Sequence, residues 1–343
     1  MAASTTPASD RAAAQSTSNE KMRAIVQREY GNADVLELAE IDRPTIKAGE
    51  VLVRVRAAGV DRGTWHLMAG KPYVMRLAFG LRGPRRAVPG LDLAGVVVAA
   101  GSDVTRFKPG DEVFGIGKGS FAEYTAARED KLAHKPSNLT FEQAAAMSVS
   151  GQTALRGLRD VGHLTAGQHV LIIGASGGVG TYAVQIAKAL GAEVTGVCST
   201  AKMDLVRSIG ADHVIDYTHD DFSDGQQHYD LILDIAGNST LSRLRRALTP
   251  HGTLVIAGGE GGDRWFGGID RQLRARVLSP FVGQRLTTFI AKEHHAGLEQ
   301  LTEFVDKGQL VPVIEQTYPL SDMPGAMRHL EAGHARGKLV ITT

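Results

Sequence analysis

One stretch, residues 170–200, limits the fold of this chain more than any other. An apolar run at 170–173 leads into a glycine-rich turn with the sequence GASGGVG at 174–180. Apolar residues then recur with helical spacing until Gly191, and a second apolar run follows at 194–198. The order strand, glycine turn, helix and strand predicts a βαβ unit of about thirty residues.

The glycines of this turn suit the binding of a dinucleotide. Gly177 lets the backbone come close to a pyrophosphate, and Gly180 lets the helix pack tightly on the strand, while Ala175 replaces the usual first glycine. The free N–H groups at the start of the helix attract the phosphates. We therefore predict cofactor contacts from the whole turn: Ala175, Ser176, Gly177, Gly178, Val179 and Gly180. The alternative is a structural turn that binds no ligand.

The composition narrows the classes of protein to consider. The 343 residues are 43% hydrophobic and 22% charged, which is enough for two domains with cores. The net charge of +1 gives no overall attraction to nucleic acid or membrane, and no apolar run approaches the roughly twenty residues that span a bilayer. A single cysteine, Cys198, excludes a disulfide framework and a cysteine zinc cluster. We expect a cytoplasmic protein with a small-molecule partner, and no nucleic acid or membrane as partner.

The pattern of elements changes along the chain. Short β-type runs from Met22 to Thr125 predict a small, mostly antiparallel β-domain. Thr140 can cap a helix, and strands then alternate with helices, which predicts a parallel doubly wound sheet. The last elements are too few for a domain and should return to the first one. We predict a disordered tail at 1–20, with a transit peptide as the weaker alternative. Residues 21–148 and 285–343 should form one domain, and residues 149–284 should form the cofactor domain.

Several motifs together resemble one superfamily. They are PGLDLAG at 89–95, GDEVFG at 110–115, GSFAEY at 119–124, the glycine turn at 174–180 and GKLVI at 337–341. In this order they are similar to the medium-chain dehydrogenase/reductase superfamily over about residues 22–343. The resemblance implies an α/β fold with a GroES-like, β-rich catalytic domain and a Rossmann cofactor domain with a doubly wound parallel sheet.

The zinc positions of that superfamily carry other residues in this chain. Val60-Asp61-Arg62 stands where its zinc alcohol dehydrogenases have a cysteine, and Pro89-Gly90-Leu91-Asp92 stands where they have a histidine. The four-cysteine structural zinc lobe is missing. Catalytic zinc needs at least three protein ligands. The sequence therefore resembles the zinc-free branch, the quinone oxidoreductase or zeta-crystallin family, and we expect no metal.

The end of the second strand of the βαβ unit indicates which nicotinamide is bound. NAD enzymes place an acid there, whereas this chain has Ser199 and Lys202 and no acid before Asp204. Such a set suits the 2′-phosphate of NADPH, unless Lys202 is an ordinary surface lysine. The resemblance assigns Lys202 and Tyr217 to that phosphate. By position it also implies contacts from Thr153, Asn238, Ala257 and Gly258, each of which could equally be a turn or cap residue.

The proton donor is the least determined part of the predicted site. Where the family has an asparagine followed three residues later by an acid, this chain has Asp61 and Thr64, so both polar positions differ. Asp61, His66 and Tyr73 are the candidate catalytic residues, although Asp61 could instead cap a helix and His66 could only pack. The basic loop at 68–87 is either a lid or a solvated loop, and a glycine-rich segment at 259–268 should lie beside the cleft.

The chemistry that fits is hydride transfer from NADPH to a quinone or an α,β-unsaturated carbonyl without zinc. A reductase for one specific biosynthetic enone and a non-catalytic NADPH-binding sensor or structural protein are the alternatives. By analogy with the family we expect a homodimer, with a last cofactor-domain strand at 277–289 pairing across a two-fold axis. Phe281 and Val282 lie in its apolar portion.

Overall fold

Two large β-sheets organise the chain in the computed structural model, which describes residues 20–259, 263–290 and 292–343. The tail predicted at 1–20 lies, apart from Glu20, outside the described residues. The first elements are β1 (Lys21–Val26), β2 (Glu37–Asp42), β3 (Glu50–Val60), α1 (Arg62–Ala69), α2 (Arg76–Phe79), β4 (Asp92–Ala100), β5 (Glu112–Ile116), β6 (Tyr124–Arg128), β7 (Leu132–His134) and α3 (Phe141–Leu155). The others are β8 (His169–Ile173), α4 (Gly178–Ala189), β9 (Glu193–Cys198), α5 (Met203–Ser208), β10 (His213–Asp216), β11 (Tyr229–Asp234), α6 (Leu241–Arg246), β12 (Leu248–Ile256), α7 (Ile269–Leu278), β13 (Arg285–Thr288), α8 (His295–Asp306), β14 (Ile314–Pro319), α9 (Met323–Glu331) and β15 (Lys338–Thr342).

The first large sheet brings the two ends of the chain together. Its strand order is β14-β15-β3-β4-β5-β7, and β6 also pairs with β3. All of its pairs are antiparallel except β14 with β15. The valines of β3 are buried on one side, while Arg54 and Arg56 are exposed, as the alternating pattern predicts. The C-terminal strand β15 therefore lies beside β3, on the opposite side from β4.

Helix α3 connects this sheet to the second one. Its N-terminus is closed by a capping box, in which Gln143 N donates to Thr140 Oγ1 at 3.2 Å and Thr140 N donates to Gln143 Oε1 at 3.0 Å. The cap predicted at Thr140 is confirmed. Small side chains at 144–146 let the helix pack closely, and these residues belong to a buried core shared by both sheets.

The second large sheet is parallel throughout and has the order β10-β9-β8-β11-β12-β13. The chain runs outward from β8 in one direction and returns at β11 to run in the other. In such sheets ligands bind at the carboxyl ends of the strands, where the order reverses. The predicted doubly wound fold is confirmed, and the switch point lies between β8 and β11.

The prediction for residues 277–289 was wrong in its secondary structure. Val277 lies in the last turn of α7, residues Ser279–Phe281 form a 3₁₀ turn, and the strand is only β13. An apolar cluster was interpreted as a strand, but residues before it carry helix-forming Leu, Arg and Ala, and Pro280 begins the turn. Because β13 pairs with β12, the parallel sheet also extends beyond the domain boundary predicted at residue 284.

No helix in the described part of the chain is long and apolar enough to cross a membrane.

Candidate functional site

The glycine turn lies between β8 and α4, at the switch point of the parallel sheet. Gly174 has a φ of +90°, which favours glycine. A Cβ on Gly180 would lie 2.1 Å from the carbonyl oxygen of Gly174 and 2.7 Å from the carbonyl carbon of Ala175. Gly180 is therefore required by close packing of the helix on the turn.

Gly177 differs from Gly180 because the protein itself leaves space beside it. A Cβ there would meet only the Gly174 oxygen, at 3.5 Å, and the φ of −86° is ordinary for any residue. Gly177 is also the N-cap of α4, and no side chain caps this end of the helix. The uncapped helix N-terminus and the space beside Gly177 therefore fit the pyrophosphate of a dinucleotide.

The end of β9 offers positive charge for the predicted 2′-phosphate. Lys202 donates from Nζ to the carbonyl oxygen of Ala335 at 3.0 Å, which holds it beside the segment before β15. Burial lowers the pKa of Lys202 below its ordinary value, and the nearby charge of Arg336 lowers it further, whereas Glu315 opposes the change. Ser199 is half-buried next to it, and the Tyr217 ring is 60% exposed after β10.

Arg336 was not identified from the sequence. It precedes the GKLVI ending and comes near enough to lower the pKa of Lys202 only because the chain returns beside the glycine turn, where Gly337 N donates to Ser176 O at 2.9 Å. No local pattern marks it, since the two cations are far apart in sequence. The structure thus brings a second cation to the end of β9.

The opposite end of the cleft is held by backbone contacts. The N–H groups of Ala257 and Gly258 donate to the carbonyl oxygen of Asp234 at 2.9 and 3.2 Å, and a Cβ on Gly258 would lie 1.8 Å from Ile235 O. Thr153 in α3 donates to Val149 O at 2.8 Å. Asn238 is exposed on the loop that follows β11.

A buried ion pair, missed by the sequence interpretation, supports this end. Arg271 of α7 donates to the Asp234 carboxylate at 2.6 Å and to the carbonyl oxygens of Ser239 and Gly258 at 2.7 and 3.2 Å. Burial raises the pKa of Asp234 above its ordinary value, although Arg271 opposes this. Arg271 therefore ties the loops after β11 and β12 together.

The candidate catalytic residues lie at the N-terminus of α1 and on the segment that follows it. Asp61 is the N-cap of α1 and accepts hydrogen bonds from Thr64 N at 2.8 Å and Thr64 Oγ1 at 3.3 Å. His66 Nδ1 lies 2.9 Å from Lys71 O. The structure gives Asp61 a capping role; catalytic roles for Asp61 and His66 stay predictions.

Tyr73 joins the two loops that were expected to flank the cleft. Its N–H donates to Arg264 O at 2.9 Å, and its ring meets the edge of the Trp265 ring with centroids 5.3 Å apart. The Arg76 guanidinium lies 4.6 Å from the rings of both Tyr73 and Tyr30. The segment predicted at 259–268 contacts the basic loop in this way, and its residues 260–262 lie outside the described part.

We predict that replacing Asp61 will separate capping from catalysis. Asp61→Ala should lower the free energy of unfolding by about 1 kcal/mol because the cap of α1 is lost. Asp61→Asn keeps a capping oxygen and should leave both stability and turnover close to the wild type. Denaturant unfolding and steady-state turnover measure the two effects. A large loss of turnover in the stable Asp61→Asn variant would instead assign Asp61 a chemical role.

The residues at the zinc positions do not suit zinc. Among the residues that the structure describes, no three His, Cys, Asp or Glu side chains lie together as metal ligands would. The Asp61 carboxylate accepts a hydrogen bond from Thr64 N. The Asp92 carboxylate accepts hydrogen bonds from Val149 N at 2.8 Å and from Lys338 Nζ at 3.2 Å. Cys198 is buried, and burial raises its pKa to about 11. These donors are not a tetrahedral N/S set.

Asp92 should make stability depend on pH. Burial raises its pKa from 3.8 to about 7, although the Lys338 ammonium opposes this and the Asp61 carboxylate reinforces it. The folded state thus holds a proton that the unfolded state has lost between these values, so stability falls as pH rises through this window, by at most about 1.4 kcal/mol per pH unit.

The reference for this pH prediction is the Asp92→Asn/Lys338→Met double variant, which lacks the titrating pair. Urea unfolding of both proteins at a mildly acidic and a neutral pH should show the wild type losing stability relative to the variant as pH rises. A difference that does not change with pH would contradict the raised pKa.

Comparisons with known proteins agree with this geometry. Residues 47–137 match the family model described as alcohol dehydrogenase GroES-like domain, and residues 209–341 match the one described as zinc-binding dehydrogenase. The chain is similar to 2-methylene-furan-3-one reductase of Solanum lycopersicum, with 34% identity over 97% of this chain and 84% of that protein. It is also similar to the chloroplastic NADPH-dependent alkenal/one oxidoreductase of Arabidopsis thaliana, with 33% identity over 94% of this chain and 79% of that protein.

A solved structure supports the same assignment. The quinone oxidoreductase from Coxiella burnetii superposes with a TM-score of 0.84 and 27% identity, over 94% of this chain and 100% of that one. The resemblance drawn from the sequence motifs is confirmed. This chain belongs to the medium-chain dehydrogenase/reductase superfamily, in its quinone oxidoreductase, zeta-crystallin-like branch.

Proposed function

We propose that this protein is an NADPH-dependent, zinc-independent reductase that transfers a hydride to a quinone or an α,β-unsaturated carbonyl. The observation that carries the proposal is the open space beside Gly177 at the uncapped N-terminus of α4, near Lys202 and Arg336 at the same end of the parallel sheet. The space beside Gly177 suits a pyrophosphate, and the cations Lys202 and Arg336 suit a phosphate on the adenosine ribose. The names of the relatives support the acceptor class.

The residues of this chain have binding and orienting tasks in the reaction. Bound NADPH supplies the hydride. The phosphates would be held by the glycine turn, Ser199, Lys202, Tyr217 and Arg336. The remainder of the cofactor would be positioned by the backbone at Ala257 and Gly258 and by Thr153 and Asn238. Quinones and enones accept a hydride into a conjugated system, so the site need not supply a Lewis acid.

Tyr73 is the candidate that best suits proton donation after hydride transfer. In the described part of the chain its hydroxyl has no hydrogen-bond partner, whereas the Asp61 carboxylate is held by Thr64 and His66 Nδ1 lies at Lys71 O. Contacts with Trp265 and Arg76 hold the ring at the loop junction. A proton from Tyr73 or from water would complete the reduction.

Oxidation of NADPH, followed by absorbance, tests the proposal with one simple quinone and one simple enone. We expect turnover with either acceptor well above the uncatalysed rate, and a preference for NADPH over NADH. NADPH binding without turnover of either acceptor would favour a specialist for one biosynthetic enone or a non-catalytic binding protein. Failure to bind NADPH would refute the proposal altogether.

We also propose a homodimer formed through the edge of the parallel sheet. β13 is the last strand in the order, and its outer edge pairs with no other strand of the described residues. Beside it, Leu273, Val277 and Phe281 follow one another at intervals of four residues, and Val277 and Phe281 are 69% and 81% exposed. Open strand edges and exposed apolar rows are usually covered.

Light scattering tests the homodimer. The wild type should have twice the mass of the chain. The Val277→Glu/Phe281→Glu variant should have the mass of a monomer, because two charges would enter the apolar contact between the subunits. Val311→Glu, at an exposed position on another surface, serves as the control and should not change the mass. A monomeric wild type would contradict the proposal.

The cytoplasmic location also stays a prediction, since one relative is named as chloroplastic.

A further inference from the structure

A fully buried ion pair links the β-rich sheet to the elements around the glycine turn. Asp92 of β4 and Lys338 of β15 are 0% and 1% exposed at their side chains, with Lys338 Nζ 3.2 Å from Asp92 Oδ2. Lys338 also donates to Ser150 Oγ at 3.2 Å, and the other Asp92 oxygen accepts from Val149 N at 2.8 Å. The pair therefore connects β4, α3 and β15.

The backbone is adapted to this pair. A Cβ on Gly59 would lie 2.7 Å from Asp92 Oδ2, so β3 has a glycine where the carboxylate needs space. Tyr182 of α4 is fully buried, and burial together with the negative charge of Asp92 raises its pKa well above the ordinary value. The titratable groups coupled to Asp92 are thus Lys338 of β15, Asp61 before α1 and Tyr182 of α4.

Stability alone does not account for such a pair. Removing two charges from water costs several kcal/mol for each ion, and replacing a buried pair by apolar residues is often neutral or stabilising. The described residues also leave two hydroxyls of the surrounding region, Tyr182 Oη and Ser148 Oγ, buried without a hydrogen-bond partner. An ion pair that costs this much free energy to bury is more readily explained by a role in positioning the elements around it.

The Lys338 side of the pair is attached directly to the glycine turn. Gly337 N donates to Ser176 O at 2.9 Å, and Gly177 and Gly337 form a parallel β-bridge. A Cβ on Gly178 would lie 3.0 Å from Lys338 Cδ, so the lysine stem packs against the first residue of α4. Three consecutive residues of the turn, at 176–178, therefore contact Gly337 and Lys338 at the start of β15.

The Asp92 side of the pair reaches the opposite part of the cleft. Val149 donates its N–H to Asp92, and its carbonyl oxygen accepts from Thr153 Oγ1 at 2.8 Å. One carboxylate thus fixes the turn of α3 that carries Thr153, while its lysine partner fixes the glycine turn. The contact between Asp92 and Lys338 therefore joins the two parts of the proposed NADPH site.

We propose that Asp92 and Lys338 are positioning residues for NADPH, which hold the glycine turn and the Thr153 turn of α3 at the separation that the bound cofactor needs. This inference rests on the proposed NADPH binding. The pair acts through Gly178 and Val149 directly, and through the neighbouring Gly337 on Ser176. Its loss should therefore weaken NADPH binding, and leave binding of the quinone and the rate at saturating NADPH largely unchanged.

The test compares Asp92→Asn, Lys338→Met, their double variant and Ser150→Ala with the wild type. For each, NADPH affinity is measured by fluorescence titration, and kcat and the two KM values by turnover. We expect the dissociation constant and the KM for NADPH to rise about tenfold or more when either charge is lost, with kcat changed less than about threefold. Ser150→Ala, which removes one neutral contact, should raise the constant by a few-fold.

A second ion pair in the same sheet provides the matched control. Glu50 of β3 is buried and pairs with Lys118, and in the described part of the chain no hydrogen bond or ion pair joins either side chain to the glycine turn or α3. Glu50→Gln/Lys118→Met should change stability and leave NADPH affinity as in the wild type. Lys338→Arg, which keeps the positive charge, should recover part of the affinity lost in Lys338→Met.

Two results would overturn the inference. One is a folded Asp92→Asn/Lys338→Met variant, or a folded Ser150→Ala variant, that binds NADPH like the wild type. The other is an equal loss of affinity in the control pair, which would show a general effect of stability. Failure of the proposed function is recognised separately, because the wild type itself would then bind no NADPH.

Discussion

Gly180→Ala should be the most damaging single methyl addition in the glycine turn. The new Cβ would lie 2.1 Å from Gly174 O and 2.7 Å from the carbonyl carbon of Ala175, and both of these atoms belong to the backbone. Relief requires α4 to move away from β8, so we expect the free energy of unfolding to fall by about 3 kcal/mol. NADPH binding should be lost with it. Urea unfolding and fluorescence titration measure the two effects.

Gly177→Ala is the control for this variant, because it adds the same methyl group where the protein has space. With an ordinary φ and its nearest neighbour at 3.5 Å, the variant should be as stable as the wild type to within about 1 kcal/mol. NADPH affinity should still fall at least about tenfold, because the methyl would occupy the space of a phosphate. Wild-type affinity in Gly177→Ala would show that the phosphates do not bind at this turn.

Removing both cations at the end of β9 should change cofactor preference more than any other substitution. In Lys202→Ala/Arg336→Ala two charge-assisted contacts to the 2′-phosphate would be lost, and contacts of that kind are each worth about 1.5–3 kcal/mol. We expect kcat/KM for NADPH to fall by about two to four orders of magnitude. The value for NADH, which lacks this phosphate, should change little.

Arg207→Ala is the matched control for the two cations. Arg207 also follows β9, but it is exposed and pairs with Asp204. Its removal should leave the ratio of the kcat/KM values for NADPH and NADH as in the wild type. An equal loss with both cofactors in Lys202→Ala/Arg336→Ala would contradict the assignment of a 2′-phosphate site.

Local patterns made much of the fold predictable. The apolar runs, the glycine turn and the cap at Thr140 are short-range signals, and the structure shows the corresponding strands, turn and helix in the predicted order. The alternation of strands and helices implies a parallel sheet for a general reason, since parallel strands need crossover connections. The interpretation failed just before β13, where an apolar cluster at the end of α7 was taken for part of the strand.

The missed site residues depend on contacts between distant parts of the chain. Arg336, Arg271 and Lys338 each find their partners through tertiary packing, and Asp92 and Lys338 are 246 positions apart. No spacing rule connects such residues. For Asp61 the sequence left a cap and a catalytic group open, and only the hydrogen bonds to Thr64 identify the capping role.

The most direct test of the account is NADPH oxidation with a quinone by protein whose metal content has been measured, before and after treatment with a chelator. We predict that protein without bound zinc turns over, and that the chelator does not change kcat/KM. Turnover that is lost on chelation and restored by added Zn²⁺ would contradict the central claim, because hydride transfer would then depend on a metal.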